Sequence, residues 1–455
     1  MNGLKLQNDS RIAIIGGGPA GVFFAHFMHK YLAEQDNTAS ITIFDGKNFL
    51  VPGPKGCNLC AGVLSDSLHQ KLEQEGIVLP EGRIISRVEG YVLHVHDEQI
   101  KISCLDNQEN SIATVFRGNG PRCSTFPDII SFDDYLLTWA QDEGASVISQ
   151  PVWDIEFPTD RMKPIRLAYG EKENSQDFEA DLVVGAFGIN SFLSKKVQNF
   201  GFGYRPPSTL ITYQAEFLLG RDEIQKNFGN SIHVFIPKSK TIRYATVIPK
   251  DDYISLTVIG KKDADKDTLS ALTDLREIRD KVPADSPACF CFPKIAVSPA
   301  RNPFTDRLVI VGDASFSRHY KNGIESAFVT GKMAAQTVAE VGIDSTSFSR
   351  SFFRDAKKQI ISDNHYGRFL LKIYDIINSS PLLTRVQISL MNDRAKEDTS
   401  KKLHGILWNM FTGNIPYRDI FKASLDLKMQ MTLLFVALKL IFKKSENPDR
   451  LGNYK

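Results

Sequence analysis

The sequence has few cysteines, almost no net charge and no long apolar run, and each shortage excludes a class of protein. Six cysteines among 455 residues are too few for a disulfide framework. Because 55 basic residues nearly cancel 53 acidic ones, leaving a net charge of +2, no strong field favours nucleic acid as a partner. No apolar run reaches the roughly 20 residues that a bilayer span requires.

The remaining composition is that of a globular protein long enough for two or three substructures. The polar opening MNGLKLQNDS does not resemble a secretory signal, and a reducing compartment would keep the sparse cysteines as thiols. We therefore expect a cytoplasmic protein. No second CxxC motif and no paired histidines provide the spacing of a metal site, so no metal is expected.

The stretch IAIIGGGPAG, residues 12–21, has the pattern of a buried strand, a glycine loop and the start of a helix. In this context the spacing GxGxxG is typical of dinucleotide binding, because the backbone of the turn approaches a pyrophosphate and the helix N-terminus attracts its charge. An aspartate at the end of the next strand is placed to accept hydrogen bonds from a ribose. The predicted cofactor contacts are Gly16, Gly18, Pro19, Ala20, Gly21 and Asp45. A nicotinamide cofactor, a flavin and an empty turn are the alternatives.

A second turn, in LVIVGDAS at residues 308–315, decides between them. A nicotinamide dehydrogenase does not require it, whereas an elongated flavin lying across the sheet does. The segment resembles the Gly-Asp motif of FAD proteins of the glutathione-reductase and hydroxylase types. This resemblance implies FAD, with Asp313 after Gly312 binding the ribityl chain and the helix start at Gly323 and Ile324 facing the flavin's N1/O2 edge. The alternative is that Asp313 only caps a helix.

Two other segments depart from the hydroxylase pattern. DLVVGAFGINS, residues 181–191, resembles the third hydroxylase signature, but Phe187 stands where an aspartate is usual, which argues against direct NADPH docking there. SFDDYLLTWA, residues 131–140, resembles a helix that an arginine normally precedes by three residues, and Ile129 takes that position. Arg122 is the candidate substitute for this arginine as a cofactor contact.

The segment NLCAGVLS, residues 58–65, is similar to the Cys-Gly-Gly segment of geranylgeranyl reductases, with Cys60 at the cysteine and Ala61 at the first glycine. The resemblance implies a thiol packed near the flavin. Together with Cys57 this cysteine forms a CxxC motif, for which a redox disulfide, half of a metal site and an inert loop are the other interpretations.

A second segment, RYATVIPKDDYISLTVIG at residues 243–260, is similar to the Tyr-x-Trp-x-Phe-Pro segment of the same reductases. Tyr244 and Pro249 match, whereas Thr246 replaces the tryptophan. FAD-dependent halogenases have a related Trp-x-Trp-x-Ile-Pro element, of which only Ile248 and the proline match.

The resemblance to geranylgeranyl reductases implies reduction of carbon-carbon double bonds in a small hydrophobic, isoprenoid-like substrate by hydride from reduced FAD. The electrons would come from an external donor, either NAD(P)H or ferredoxin. Since an unactivated alkene offers no charged handle, the site has to orient it, exclude water and supply a proton. The candidates for catalysis are Cys60, Tyr244 and His319, although a histidine just beyond the Gly-Asp turn can also be structural. The competing functions are an FAD-dependent monooxygenase or halogenase and a flavin-binding regulatory or carrier protein without turnover.

The order of patterns predicts an α/β fold with a Rossmann-like FAD-binding domain, an inserted mainly antiparallel β-sheet domain for the substrate, and a helical C-terminal region. Strand follows strand between residues 209 and 259, whereas strand-turn-helix units flank this block. The boundaries are 8–60, 105–200 and 295–345 for the discontinuous FAD-binding domain, 61–104 and 201–294 for the substrate domain, and 346–455 for the helical region.

The tail segment KMQMTLLFVALKLIFKK, residues 428–444, has a strongly apolar face with lysines around it. A basic amphipathic helix of this kind can lie in a membrane interface, which would make the protein peripheral at the inner face of a membrane. It can equally cap the substrate domain with its apolar face inward. The sequence leaves both alternatives open.

Overall fold

The computed structural model describes residues 3–96, 98–103, 112–273, 275–282, 287–320, 323–392 and 397–446. The strands are β1 (Ser10–Ile15), β2 (Ala39–Phe44), β3 (Val63–Leu64), β4 (Ser86–Val88), β5 (Gly90–Val95), β6 (Glu98–Ser103), β7 (Ile112–Thr114), β8 (Ser146–Ile148), β9 (Val152–Glu156), β10 (Ile165–Glu171), β11 (Asn174–Ala180), β12 (Leu182–Gly185), β13 (Thr209–Ile211), β14 (Tyr213–Leu218), β15 (Ser231–Ile236), β16 (Ile242–Lys250), β17 (Tyr253–Gly260), β18 (Cys289–Cys291), β19 (Lys294–Ala296), β20 (Phe304–Thr305) and β21 (Leu308–Ile310).

The α-helices are α1 (Pro19–Glu34), α2 (Asp66–Gln74), α3 (Phe132–Asp142), α4 (Leu193–Gln198), α5 (Arg221–Phe228), α6 (Lys266–Thr273), α7 (Arg276–Arg279), α8 (Gly323–Glu340), α9 (Ser345–Phe348), α10 (Arg354–Ala356), α11 (Asp363–Ser379), α12 (Pro381–Met391), α13 (Glu397–Thr412), α14 (Tyr417–Ser424) and α15 (Leu427–Glu446). Two π-helical segments, Ser349–Phe353 and Lys357–Ile361, flank α10.

The first sheet has the strand order β20-β21-β12-β1-β2-β8, in which only the β20–β21 pair is antiparallel. Its central strand β1 is apolar because both faces are buried. Ile12 and Ile14 face helices α1 and α8, whereas Ala13 and Ile15 face the core shared with the three-stranded sheet β11-β10-β9. The continuous apolar run in the sequence therefore reflects burial between two layers.

The second large sheet has the order β18-β14-β17-β16-β15-β5-β6 and is antiparallel except for the pair β15–β5. Alternate residues of its strands face opposite layers, as a period of two requires. Ile232 and Val234 of β15 pack towards the C-terminal helices, whereas Phe235 packs into a core with Ile224 of α5 and Ile278 of α7.

The C-terminal helices cover one face of this antiparallel sheet. Leu390 of α12, Trp408 of α13 and Val436 of α15 are buried in one core with Leu93 and Ile102 of the sheet. The predicted fold class is therefore confirmed: a parallel Rossmann-like sheet, an antiparallel sheet and a helical C-terminal region. The domain boundaries stay a prediction, and their segment 104–111 lies outside the described residues. No helix in the described ranges combines the length and the apolar character needed to cross a membrane.

Candidate functional site

A cavity of about 600 Å³ lies between the two large sheets, and we refer to it as the large cavity. One wall follows the carboxyl ends of β1, β2, β12 and β21, which is where open α/β sheets bind ligands. The opposite wall includes Gln214 of β14 together with Thr257 and Ile259 of β17.

The glycine turn between β1 and α1 forms one end of the large cavity. Gly16 has a φ of 117°, and a Cβ at this residue would lie 2.4 Å from the carbonyl oxygen of Ala186. A Cβ at Gly21 would lie 2.0 Å from the carbonyl oxygen of Gly16, so only glycine lets α1 begin this close to β1. Gly18 lines the cavity with its backbone, and Pro19 and Ala20 follow it there. Gly16 and Gly21 therefore allow the tight turn and the close packing of α1 on β1, whereas the contact of Gly18 with a pyrophosphate stays a prediction.

Asp45 lies at the end of β2 and lines the same cavity. Its Oδ2 accepts a hydrogen bond from the backbone N–H of Gly17 at 2.7 Å, and its Oδ1 accepts one from the N–H of Lys47 at 2.7 Å. Burial raises the pKa of this carboxyl, although both hydrogen bonds oppose the shift. Each carboxylate oxygen can accept a second bond, so Asp45 can hold the glycine loop and still bind a ribose hydroxyl.

The Gly-Asp turn after β21 meets the first glycine turn, as the sequence predicted. A Cβ at Gly312 would lie 2.9 Å from the Cβ of Ala20. Asp313 lines the large cavity beside the start of α8, where a Cβ at Gly323 would lie 3.1 Å from its Oδ2. Ile324 follows along the cavity wall. Burial raises the pKa of Asp313, so its carboxyl retains a proton more readily than an exposed one.

A buried ion pair that the sequence analysis missed supports this cavity. The guanidinium of Arg117, which lines the cavity, donates to Asp133, and its Nη2 lies 2.8 Å from Oδ2 of that residue. The side chain of Asn58 also donates to Asp133. Burial disfavours the charged guanidinium, but the adjacent carboxylate outweighs it and raises the pKa of Arg117. The available signal was a lone arginine after the apolar strand IATVF, ahead of a helix that begins with two aspartates.

Arg122 occupies a different position from the one predicted for a cofactor contact. Its side chain is exposed, and its Cβ packs near Gly53 outside the large cavity. Phe187, in contrast, lines the cavity at the place where the hydroxylase signature has an aspartate. Two other arginines, Arg117 and Arg318, line the large cavity, and Arg117 lies five residues before the predicted one.

A second cavity of about 280 Å³, which we call the apolar cavity, lies between the antiparallel sheet and the C-terminal helices. Tyr244 lines it, and burial raises the pKa of this phenol. The main apolar and aromatic lining comes from the sheet residues Tyr91, Ile232, Val234, Ile236 and Ile248 and from the helix residues Leu371, Tyr374, Met410, Phe411 and Tyr417. Strands of the predicted substrate domain form one wall of this cavity, and no pattern in the sequence indicated that the C-terminal helices would form the other.

Cys60 lies where the cavities meet. It lines the large cavity, the apolar cavity and a small chamber of about 40 Å³. Its Sγ accepts a hydrogen bond from the N–H of Gly62 at 3.5 Å, and its carbonyl oxygen accepts one from the side chain of Gln214 at 3.3 Å. Ala61 lines both larger cavities beside it.

The chamber contains a buried charged pair, Glu216 and Lys250, which no motif in the sequence indicated. The Nζ of Lys250 lies 4.0 Å from Oε1 of Glu216 and 4.4 Å from the ring centre of Phe116. The carboxylate accepts hydrogen bonds from the hydroxyl of Ser255 at 2.7 and 2.8 Å. Burial raises the pKa of Glu216, although the nearby ammonium lowers it. Buried charges of this kind cluster at functional sites.

The other cysteines of the chamber are Cys57, Cys289 and Cys291. Burial raises the pKa of Cys57, and it raises the pKa of Cys289 to about 11 and that of Cys291 to about 12, which favours the thiol form. Within the part of the chain that the structure describes, no three His, Cys, Asp or Glu side chains converge as a metal site. The spacing CxxC did not indicate that a second pair of cysteines would join it.

His319 lies beside the two larger cavities but lines neither. Its backbone N–H donates a hydrogen bond to Oδ1 of Asn364 at 2.8 Å, and its backbone carbonyl oxygen accepts one from the hydroxyl of Tyr417 at 2.8 Å. Burial lowers the pKa of its imidazole to about 4. The adjacent Tyr320, whose ring centre lies 4.2 Å from the imidazole, reaches both cavities.

Comparison with known proteins gives structural matches only. No family model matches the chain, and no curated protein matches it. Among solved structures, a geranylgeranyl bacteriochlorophyll reductase-like protein from Thermoplasma acidophilum is 16% identical with a TM-score of 0.64, covering 92% of this chain and 97% of its own. The flavin-dependent brominase Bmp2 is 16% identical with a TM-score of 0.62, covering 93% and 100%. A 2-methyl-3-hydroxypyridine-5-carboxylic acid oxygenase is 14% identical with a TM-score of 0.55, covering 82% and 92%.

These likenesses define the class of fold: the chain shares its architecture with this reductase-like protein, the flavin-dependent brominase and the oxygenase. The resemblance predicted from the two glycine turns is thereby confirmed at the level of the fold. The cysteine segment predicted a likeness to geranylgeranyl reductases, and one of these structures is a geranylgeranyl bacteriochlorophyll reductase-like protein.

Proposed function

We propose that the large cavity binds FAD. The two glycine turns meet there, and the starts of α1 and α8 line the cavity at Gly18 and Gly323, which carry no side chain of their own. Asp45 would accept hydrogen bonds from the ribose, and the helix start at Gly18 would bind the pyrophosphate through its backbone N–H groups. Asp313 would bind the ribityl chain. Bound FAD, once reduced, supplies a hydride.

We further propose that the protein is an oxidoreductase that reduces a carbon-carbon double bond of a hydrophobic, isoprenoid-like substrate. One observation carries this proposal: Cys60 stands between the large cavity and a cavity walled by Ile, Val, Tyr and Phe side chains. An apolar wall binds a prenyl chain by burial, which contributes roughly 0.8 kcal/mol per CH₂. The same wall excludes water from the reacting bond.

The protein's own residues would supply the proton that accompanies the hydride. The thiol of Cys60 would transfer its proton to one alkene carbon while the other carbon receives the hydride. The resulting thiolate lies near the guanidinium of Arg117, which stabilises it. Glu216 and Lys250 in the chamber behind it would return the proton. Tyr244 and Tyr320 would orient the substrate, and His319, which lines neither cavity, would hold Tyr320 in place.

A flavin-dependent monooxygenase or halogenase is the second candidate, because the brominase has nearly the same TM-score as the reductase-like protein. Anaerobic photoreduction of the purified flavoprotein, followed by mixing with candidate oxidants, separates the two. Reoxidation by a prenyl lipid with formation of the saturated product supports the reductase. Fast reoxidation by oxygen with a hydroxylated or halogenated product supports the second candidate, and a flavin inert to both supports a carrier. The same apparatus identifies the electron donor when NADPH, NADH or reduced ferredoxin replaces light.

The role of Cys60 is tested by Cys60→Ala in the same experiment. Reoxidation by the prenyl lipid should slow by about 10² to 10⁴, the usual contribution of a positioned acid, while flavin content stays unchanged. Cys123→Ala is the matched control, because Cys123 is exposed and lines none of the three cavities. Equal rates in the two variants would remove Cys60 from the mechanism.

A further inference from the structure

Helix α15 carries two apolar faces, and the fold uses only one. Met429, Leu433, Val436, Ala437 and Leu440 pack on the core beneath the antiparallel sheet. The exposed set is Leu427, Met431, Leu434, Phe435, Leu438, Ile441 and Phe442. At about 100° per residue these two sets lie on opposite sides of the helix. The capping alternative from the sequence therefore accounts for one face and leaves the other without a function.

The exposed apolar face of α15 is large, and the fold does not use it. Leu427 is 76% exposed and Phe442 is 67% exposed, at the two ends of the stripe. Single exposed apolar residues are ordinary, whereas a continuous stripe along a whole helix marks an interaction site. The stripe alone does not identify the partner.

Two further helices of the C-terminal region also expose apolar residues. Helix α12 packs against both α11 and α15, and it exposes Leu383. Helix α11 exposes a stripe at helical spacing, formed by Tyr366, Phe369, Ile373 and Ile376. We refer to the exposed apolar residues of α11, α12 and α15 as the helical apolar surface.

The inner side of α11 connects this surface to the apolar cavity. Leu371, Tyr374 and Asn378 line the cavity, as does Asp375, whose side chain is 49% exposed and lies 3.7 Å from Arg243. The apolar cavity therefore opens to solvent beside α11. One side of α11 forms the wall of this cavity, and the opposite side belongs to the helical apolar surface. A hydrophobic ligand leaving the cavity would enter the apolar surroundings of this surface.

The charge next to the stripe selects among partners. Lys428 and Lys439 are exposed and lie on one flank of the exposed stripe of α15, and the Nζ of Lys428 lies 3.1 Å from Oδ2 of the exposed Asp398. The side chains of Lys443 and Lys444 lie outside the described residues. An apolar stripe with lysines on its edge matches a bilayer surface, where the stripe enters the acyl boundary and the ammonium groups meet anionic headgroups.

We propose that the helical apolar surface docks on a lipid bilayer containing anionic lipids, with α15 lying in the interface and the mouth of the apolar cavity facing the membrane. The docking does not depend on the reaction; only the identity of the lipid as substrate source rests on the proposed function. A second copy of this chain and a protein partner are the competing occupants.

The test is cosedimentation of the FAD-loaded protein with vesicles of phosphatidylcholine alone and with phosphatidylglycerol added. We expect binding to the mixed vesicles, weaker binding at high salt, and a loss of at least about tenfold in the double variant Leu434→Glu with Leu438→Glu. The matched control is Leu218→Glu, since this leucine is 60% exposed at the end of β14, away from the three helices. Circular dichroism and flavin content confirm that each variant is folded.

Absence of binding by the wild type to either vesicle overturns the proposal, as does equal binding by the double variant. A wild-type dimer that the double variant converts to a monomer assigns the surface to a second copy instead. Turnover of a detergent-solubilised prenyl substrate separates the two proposals. Inactivity with intact vesicle binding contradicts the proposed function only, and full activity without vesicle binding contradicts the docking only.

Discussion

The large cavity and the apolar cavity meet at Cys60, yet they are built in different ways. The large cavity depends on backbone positions such as Gly16, Gly21 and Gly312, where a side chain collides with atoms of a neighbouring element. The apolar cavity is walled by side chains of the antiparallel sheet and of the helices α11, α13 and α14. A cavity built on backbone allows few substitutions, whereas a cavity built on side chains tolerates changes that keep volume and polarity.

The largest effect is expected from Gly21→Val, which places a side chain at a backbone position of the large cavity. Because a Cβ there would lie 2.0 Å from the Gly16 carbonyl oxygen, α1 has to move away from β1, and we expect a loss of more than about 4 kcal/mol in the free energy of unfolding. Urea unfolding and flavin absorbance measure the effect. Gly405→Ala in α13 is the control, because no atom lies within 4 Å of its Cβ and alanine favours a helix by about 0.5–1 kcal/mol. A Gly21→Val protein with wild-type flavin content would contradict the backbone argument.

The next effect in size is expected from Asp133→Ala, which leaves Arg117 buried and unpaired. Breaking a buried pair costs about 3–5 kcal/mol, since the remaining charge stays desolvated. The unfolding free energy and the affinity for FAD should fall together. The neighbouring Asp134→Ala should cost only about 0.3–1 kcal/mol, the usual value of a carboxylate at a helix start. Similar losses in both variants would show that the pair does not support the cavity.

A smaller effect concerns the segment at the boundary of the two cavities, where His319 is held by Asn364 and Tyr417. Burial lowers the pKa of His319 to about 4 from an ordinary value near 6.5, so the native state binds this proton less readily than the unfolded chain. This group therefore adds stability above pH 6.5 and loses it as the pH falls from 6.5 towards 4. Unfolding free energies measured across this window should decrease on acidification, and less steeply in His319→Gln. An unchanged slope in that variant would show that other groups carry the dependence.

The smallest effect is expected in the apolar cavity from Ile248→Val. Ile248 lines the cavity, so the lost methyl group has fewer contacts to lose than in a fully packed core, and we expect about 0.5 kcal/mol. Ile14→Val in the parallel sheet is the matched deletion without a cavity, and about 1–1.5 kcal/mol is expected there. Urea unfolding of both variants checks the order. A larger loss of unfolding free energy in Ile248→Val than in Ile14→Val would mean that the apolar cavity is packed at least as tightly as the parallel sheet.

The tail shows what a sequence pattern leaves open. The apolar residues of α15 predicted an amphipathic helix, and two uses of its face were equally consistent with the pattern. The structure divides the apolar residues into two faces, of which Met429 and Val436 cap the sheet while Leu427 and Leu438 remain exposed. The sequence pattern could not show this division into two faces, because the side of α15 that faces the core depends on how α12 and α13 pack.

The sequence by itself determined the parts whose chemistry is local. The spacing of Gly16, Gly18 and Gly21 and the pair Gly312–Asp313 are motifs of a few consecutive residues, so their pattern is visible in the chain, although Gly16 and Gly312 pack against distant elements. Only the tertiary structure decided which distant side chains converge: Arg117 rather than Arg122 in the large cavity, Glu216 with Lys250 behind Cys60, and α11 as the wall of the apolar cavity. The physical reason is that burial and pairing are properties of three-dimensional packing, which brings together residues that no sequence period connects.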